Sequence, residues 1–335
     1  MRDVALAANV SLQTVSNFVN SRPGKMNLDT EARVRSAIEA LDFRPNSAAQ
    51  GLRSQSRRTL AFVVNDSSHR FLGDPMTDQF LAGLGDELRE RDFNLLIDSA
   101  RPTDNGSELT RSVGEGRADA AVVFLSGHSK ERTKLVQQLA KTVVPVILLQ
   151  EHGVPESLLP SIVSRDRDGS RSLCRHLFSR GHERIAFLTA SQGWSAIDER
   201  ILGYQEAHEE AGVSLQSELL VRFGDFKPLD GAAAASRLLD SRIRPTAIMC
   251  GNDLLALGVV KAAKDQGLRI PEDLAVTGFD DFDFAVATEP SLTTVRVAGY
   301  EMGRYAAQTL IRALTTNSAP TGTEFDVELC LRSSS

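Results

Sequence analysis

Two carboxamide side chains, Gln13 and Asn17, stand four residues apart in the stretch VALAANVSLQTVSNFVN, residues 4–20. On a helix that spacing puts both on one face. A carboxamide donates and accepts at once, which is the pattern that pairs with N6 and N7 of adenine. Leu12 beside them can pack on a thymine methyl group. Ser11, Thr14, Ser16 and Asn20 are the hydroxyls and amide suited to phosphates, which fix register without reading sequence. A helix that is merely solvated would carry Glu and Lys on this face; here the face is nearly uncharged.

Other chemistry is sparse. Cys174, Cys250 and Cys330 lie far apart, with neither metal-ligand spacing nor a disulfide framework. His176 and His182 lack a metal-spaced partner, and no phosphate-binding GxxxxGK run occurs. Gly83 and Gly85 do not extend into a dinucleotide fingerprint, and Asp280-Asp281 has no nucleophile or base motif with it. The expectation is therefore no catalytic residue, no metal and no cofactor, and a chain that is not an enzyme.

These side chains need elements to position them. The chain has 335 residues, 41% hydrophobic and 24% charged, enough for two or more soluble domains. No apolar run approaches the roughly 20 residues of a membrane span, and no secretory leader is evident, so a cytoplasmic, nucleoid-associated location is expected. Residues 1–58 hold nine basic and five acidic residues, a net of +4; with the whole chain at -6, the other 277 residues carry -10. Only this small basic head is suited to a polyanion.

The head reads as three helices. The first spans residues 2–8, and Asn9 suits a left-handed turn. Ser11 can cap a second helix to about Val19, with Val15, Phe18 and Val19 inward. Asn27 can cap a third through Leu41, on which Val34, Ile38 and Leu41 repeat at helical spacing. Beyond Arg58, apolar runs alternate with amphipathic segments. Strands are expected at 59–64, 93–98, 119–125, 144–149, 161–164, 184–189, 218–223, 246–250 and 273–279. The tail EFDVELCLR should be one more. So many strands between helices imply two parallel sheets, with a break near residue 160.

The residues DVALAANVSLQTVSNFVN and TEARVRSAIEALDFRPNSAAQGL resemble the head of the LacI/GalR family of bacterial transcription regulators. The resemblance continues through RGHERIAFL, RILGY, CGNDLLALG, TGFDDFDFA and PSLTTVRVAGYEMG, essentially the whole chain. It implies an all-α three-helix helix-turn-helix head plus an α/β two-lobe, periplasmic-binding-protein-like (Rossmann-like) core. The implied boundaries are a head at 1–44, a hinge helix and linker at 45–58, and a core at 59–335. Within the core, one lobe would hold about 59–160 and 294–322, the other about 161–293 and 323–335.

The resemblance also implies a hinge helix beginning at Asn46, in which Leu52 wedges into the DNA minor groove with Ala49 beside it. Arg53 would meet a phosphate or groove edge. Family members usually carry several residues before Asp-Val-Ala, including a Ser or Thr that opens the first helix. Here only Met1 and Arg2 precede it, so either the start lies upstream or the first helix is poorly capped.

In the core, the family's ligand cleft maps onto Arg200, Phe226, Asn252 and Asp280, with Phe71, Gln150 and Ser164 also at cleft positions. Arg200 and Asp280 would face each other across a polar effector, expected to be a sugar or sugar derivative. Alternatives stand beside these roles: Arg200 could pair with Asp198 or Glu199, Asn252 could cap the helix at Asp253, Asp280 could be a turn residue, and Phe226 could be core. Gln150 stands where sugar-binding members often have Asp, and Val297 replaces a frequent Gln. Fewer carboxylates point to a less hydroxyl-rich or an anionic effector.

The function implied is a sequence-specific DNA-binding regulator, a repressor, controlled by a small-molecule effector. Its partners would be a pseudo-palindromic double-stranded operator and a second copy of the chain, with no membrane. No leucine heptad follows Arg332, so a homodimer is expected rather than a tetramer. The alternative is a cytoplasmic solute-binding protein with a non-functional head.

Overall fold

The computed structural model describes residues 1–19, 26–43, 57–66, 71–101 and 106–335. They form two compact units, Met1–Arg58 and Thr59–Ser335. Of the residues expected at DNA, Asn20, Asn46, Ala49, Leu52 and Arg53 lie outside the described set.

The first unit holds α1 (Arg2–Ala7), α2 (Leu12–Val19) and α3 (Leu28–Ala40). Val4, Ala5, Ala8, Val15, Val34 and Ala37 form its core, with Phe18, Val19 and Ile38 packed against it. Asn9 takes φ 51° in the turn between α1 and α2, a conformation asparagine enters more easily than most residues. Ser11 Oγ accepts from the Thr14 amide at 3.1 Å, and Asn27 Oδ1 from the Thr30 amide at 2.8 Å. Each satisfies a donor that the helix start leaves unpaired. Leu41 departs from expectation: it is 47% exposed, because it is the C-cap of α3 and leaves the apolar stripe, where Ala37 takes the inward place.

The second unit is two parallel sheets and a ribbon. The first sheet contains β1 (Thr59–Asn65), β2 (Asn94–Ala100), β3 (Ala120–Leu125), β4 (Val146–Leu149), β5 (Ser161–Ser164) and β11 (Thr323–Phe325), in the order β2-β1-β3-β4-β5-β11. The second contains β6 (Ile185–Thr189), β7 (Leu220–Arg222), β8 (Ala247–Cys250) and β9 (Ala275–Thr277), in the order β7-β6-β8-β9. Runs such as Leu60–Val64 are apolar at every position because helices cover both faces of a parallel sheet. β10 (Thr294–Arg296) and β12 (Glu328–Cys330) pair antiparallel as the ribbon.

Two boundaries differ from the expected ones. The break expected near residue 160 falls after Ser164, because β5 pairs with β4 and continues the first sheet. The tail is not one strand: β11 pairs with β5, and the chain then turns to place β12 on β10. Residues 161–164 and 323–325 therefore belong to the first lobe. Residues 294–296 belong to the ribbon, where Thr294 Oγ1 donates to Asp253 of the second lobe at 2.6 Å.

The flanking helices are α4 (Pro75–Glu90), α5 (Ser107–Gly114), α6 (Ser129–Leu139) and α11 (Gly299–Thr316) in the first lobe. The second lobe has α7 (Asp166–Ser179), α8 (Ser195–Ala211), α9 (Pro228–Leu239) and α10 (Asp253–Asp265). α4 and α11 approach until Gly83 meets the backbone of Tyr300 and Gly303 that of Phe80, leaving no room for a Cβ at either glycine. Among the described residues no helix is long and apolar enough to cross a membrane.

Candidate functional site

In the first unit, α2 presents its polar face outward. Gln13 Nε2 donates to Asn17 Oδ1 at 3.0 Å, so the two carboxamides share a face and pair with each other. Leu12 is 52% exposed beside them. Ser11 and Thr14 hydroxyls lie 2.9 Å apart at the start of the helix. Ser16 differs from its expected outward position: it is 9% exposed, one residue from the core Val15.

In the second unit, a cavity of about 370 Å³ opens between the lobes. Its wall is built where strands end and helices begin. Asp66 follows β1, Asp74 caps α4, Gln150 follows β4, Trp194 precedes α8, Asn252 caps α10 and Asp280 follows β9. Loops and helix N-termini converge at this edge of a parallel sheet, which makes it the favoured place for a ligand.

Six of the seven expected cleft residues line this cavity: Phe71, Gln150, Arg200, Phe226, Asn252 and Asp280. Ser164 does not. It sits behind the wall, where its amide donates to Gln150 Oε1 at 2.9 Å and its hydroxyl to Asp166 Oδ2 at 2.6 Å. Asn252 Oδ1 accepts from the Leu255 amide at 3.0 Å, so the oxygen caps α10 and the amide nitrogen is the group left for a ligand.

Arg200 is placed otherwise than expected. It does not face Asp280 across the cleft but pairs with it directly, Nη2 to Oδ1, at 2.8 Å. Nε donates to Asp166 at 2.7 Å, Nη1 to the Gly251 carbonyl at 2.6 Å, and the guanidinium carbon lies 3.7 Å from the Phe279 ring centroid. Neither alternative partner, Asp198 or Glu199, takes this role. One buried cation thus stands between two buried carboxylates. Burial raises the Asp280 pKa to about 6 against the pull of Arg200. At Asp166 burial acts the same way, but Arg200, His152 and Ser164 outweigh it and hold the carboxyl below its ordinary value. Asp280 holds φ 101°, a strained conformation for a non-glycine residue. The bridge from Asp280 to Arg296 fixes it there, with the Asp280 amide donating to the Val295 carbonyl at 2.7 Å.

Sequence reasoning missed Asp66, Phe124, Gln192, Trp194 and Asp225, all in the wall. Trp194, the chain's one tryptophan, lays its ring 4.4 Å from that of Phe124 on β3, so the two lobes meet there through aromatic faces. Asp74 spends one oxygen on the Met76 and Thr77 amides, and burial raises its pKa. The signal that could have found all but Phe124 was position: each of the others follows a strand's end or opens the next helix.

Residues 1–46 match the family of bacterial regulatory proteins, lacI family, and residues 174–335 match the periplasmic binding protein-like domain. The HTH-type transcriptional regulator CelR of Thermobifida fusca is 33% identical over 315 residues, 93% of this chain and 91% of the relative. The chain belongs to the lacI family. As a lacI-family protein it is a DNA-binding transcriptional regulator: α2 is the second helix of the family's helix-turn-helix, and the two-lobe unit is its effector domain. Two solved structures extend the likeness over 99% of the chain. A CelR–cellobiose complex superposes with a TM-score of 0.74 at 28% identity, covering 98% of that protein. The lac repressor dimer bound to operator and the anti-inducer ONPF gives 0.82 at 25% identity, covering 97%.

Proposed function

We propose that this lacI-family protein is a repressor that binds a pseudo-palindromic operator as a homodimer and releases or grips it according to a neutral, hydroxyl-bearing effector in the interlobe cavity. Gln13 and Asn17 read base edges in the major groove, Leu12 packs on a thymine methyl, and Ser11 and Thr14 meet phosphates. Asn20, Asn46, Ala49, Leu52 and Arg53 complete the DNA contacts. The protein works in the cytoplasm at the nucleoid and catalyses no reaction.

The observation that carries the effector reading is the charge state of the wall. Arg200 is neutralised by Asp166 and Asp280, and Lys227 lies 2.8 Å from Asp225, while Asp66 and Asp74 add further carboxylates. An anionic effector would meet like charge, so a phosphorylated or carboxylated ligand is disfavoured. Sugar hydroxyls suit carboxylate acceptors, and Trp194, Phe124, Phe226 and Phe71 supply flat apolar faces for a sugar ring. A cavity of about 370 Å³ has room for a small oligosaccharide, and the relative CelR is known in complex with cellobiose. Calorimetric titration with cellobiose, maltose and glucose 6-phosphate tests this. Heat from a neutral sugar alone supports the reading; binding of the phosphate ester in preference refutes it.

A further inference from the structure

Outside the cavity wall, one buried cation joins the two lobes. Arg132 on α6 of the first lobe is 3% exposed. Two first-lobe acceptors orient it: Nε donates to Glu151 at 3.0 Å and Nη1 to the Gly127 carbonyl at 2.6 Å. Its remaining edge points out of the lobe, where Nη2 donates to Asp198 Oδ2 on α8 at 2.8 Å. Arg222 also reaches toward Asp198, at 3.7 Å. A guanidinium held on two sides loses little freedom in making its third contact, so the fork is pre-organised for the second lobe.

Shorter bridges surround it. The Gly127 amide donates to the Gly193 carbonyl at 2.8 Å, the His152 amide to Ser195 Oγ at 2.8 Å, and Gln192 Nε2 to Asp66 Oδ1 at 2.5 Å. The lobes come so close here that a Cβ on Gly193 would lie 2.6 Å from the Gly127 carbonyl oxygen. The second-lobe partners in these bridges, Gln192, Gly193, Ser195 and Asp198, lie in the approach to and first turn of α8, the helix that carries Arg200.

We propose that Arg132 is a latch: its bond to Asp198 holds the lobes closed in the absence of effector, so effector enters by release of this contact. The proposal rests on reading the cavity as the effector site. Arg132 and Asp198 do not line that cavity, so latch strength and effector contact are separable. A closed state favoured by protein–protein bonds sets the equilibrium that an effector must then shift, and the effector can shift it only by its differential affinity. The cation of this charge-assisted pair is buried while Asp198 is 39% exposed, so the pair is less screened than a fully exposed one.

Trp194 reports the state directly, because its emission comes from the one indole in the chain and opening separates it from Phe124. Acrylamide quenching and emission maximum are measured on the full-length protein without effector. Asp198→Asn removes the charge with little change of shape, and Arg132→Met with Glu151→Gln removes the latch without stranding a buried carboxylate. Both are expected to increase the open population about tenfold, read as a red shift and a rise in quenching. Combining the three substitutions should add nothing to the larger effect, since they break one contact. Trp194 emission unchanged in Asp198→Asn, with circular dichroism showing the fold retained, overturns the latch; so does a wild-type indole already as quenchable as the variants. If the Arg132 variant unfolds, Asp198→Asn decides alone. Operator binding by the wild-type protein is measured separately: its failure would refute the regulator reading and leave the Trp194 result standing.

Discussion

Arg200 shows what a single side chain does in this core. Its guanidinium links Asp166, Asp280 and the Gly251 carbonyl, three points on separate segments. Removing it leaves two buried carboxylates facing each other, a cost of about 3–5 kcal/mol for breaking a buried pair. Arg200→Ala should therefore destabilise the core in urea denaturation as well as abolish effector binding, and Arg200→Lys should not restore it, because an ammonium cannot span three acceptors in this plane. A variant of wild-type stability would contradict the structural part of the role. In the head, Gln13→Ala and Asn17→Ala should each cost about 1–3 kcal/mol on a preferred duplex and little on a random one, measured by fluorescence anisotropy. The pair at 13 and 17 was legible because helical period alone brings the two residues together. The Arg200 cluster was only half legible. Asp280 was found through the family resemblance, but Asp166 was not, because its contact with Arg200 depends on how α7 and α8 pack.

Elements were legible wherever local chemistry decides them. Asn27 as a cap is an example: Asn27→Ala should cost the head about 1 kcal/mol, visible as a lower melting temperature of its helical signal. The strand positions at 59–64, 161–164 and 246–250 followed from apolar runs between helical segments. Sheet membership did not follow, because β5 and the edge strand β11 are short and their partners are set by hydrogen bonds across the fold, not by their own residues. Asp253, in the first turn of α10, illustrates a feature hidden from sequence. It accepts from Thr294 Oγ1 and the Phe282 amide, and burial raises its pKa to about 8. The folded form thus keeps a proton that the unfolded chain loses near pH 4. Stability from this group is full below about pH 4 and is lost as pH rises toward 8. Core melting temperature should fall over that window, and Asp253→Asn should flatten the slope; an identical slope in the variant would assign the effect elsewhere.

At the scale of the whole chain, function follows from an uneven division of charge and chemistry. A head of net +4 is suited to DNA, while a body of net -10 presents an aromatic, carboxylate-lined cavity. Light scattering should give a dimer at micromolar concentration, and operator affinity should fall steeply with salt, about 0.9 in log–log slope per phosphate neutralised. The most direct test of the account is selection of duplex DNA from a random pool by the full-length protein. A repressor that reads base edges through Gln13 and Asn17 in two symmetric copies must enrich a pseudo-palindrome, with adenine at matched positions in its two halves. Recovery of such a motif is the predicted result. A pool that stays random after repeated rounds, with the protein folded and retaining DNA only in proportion to its charge, would contradict it.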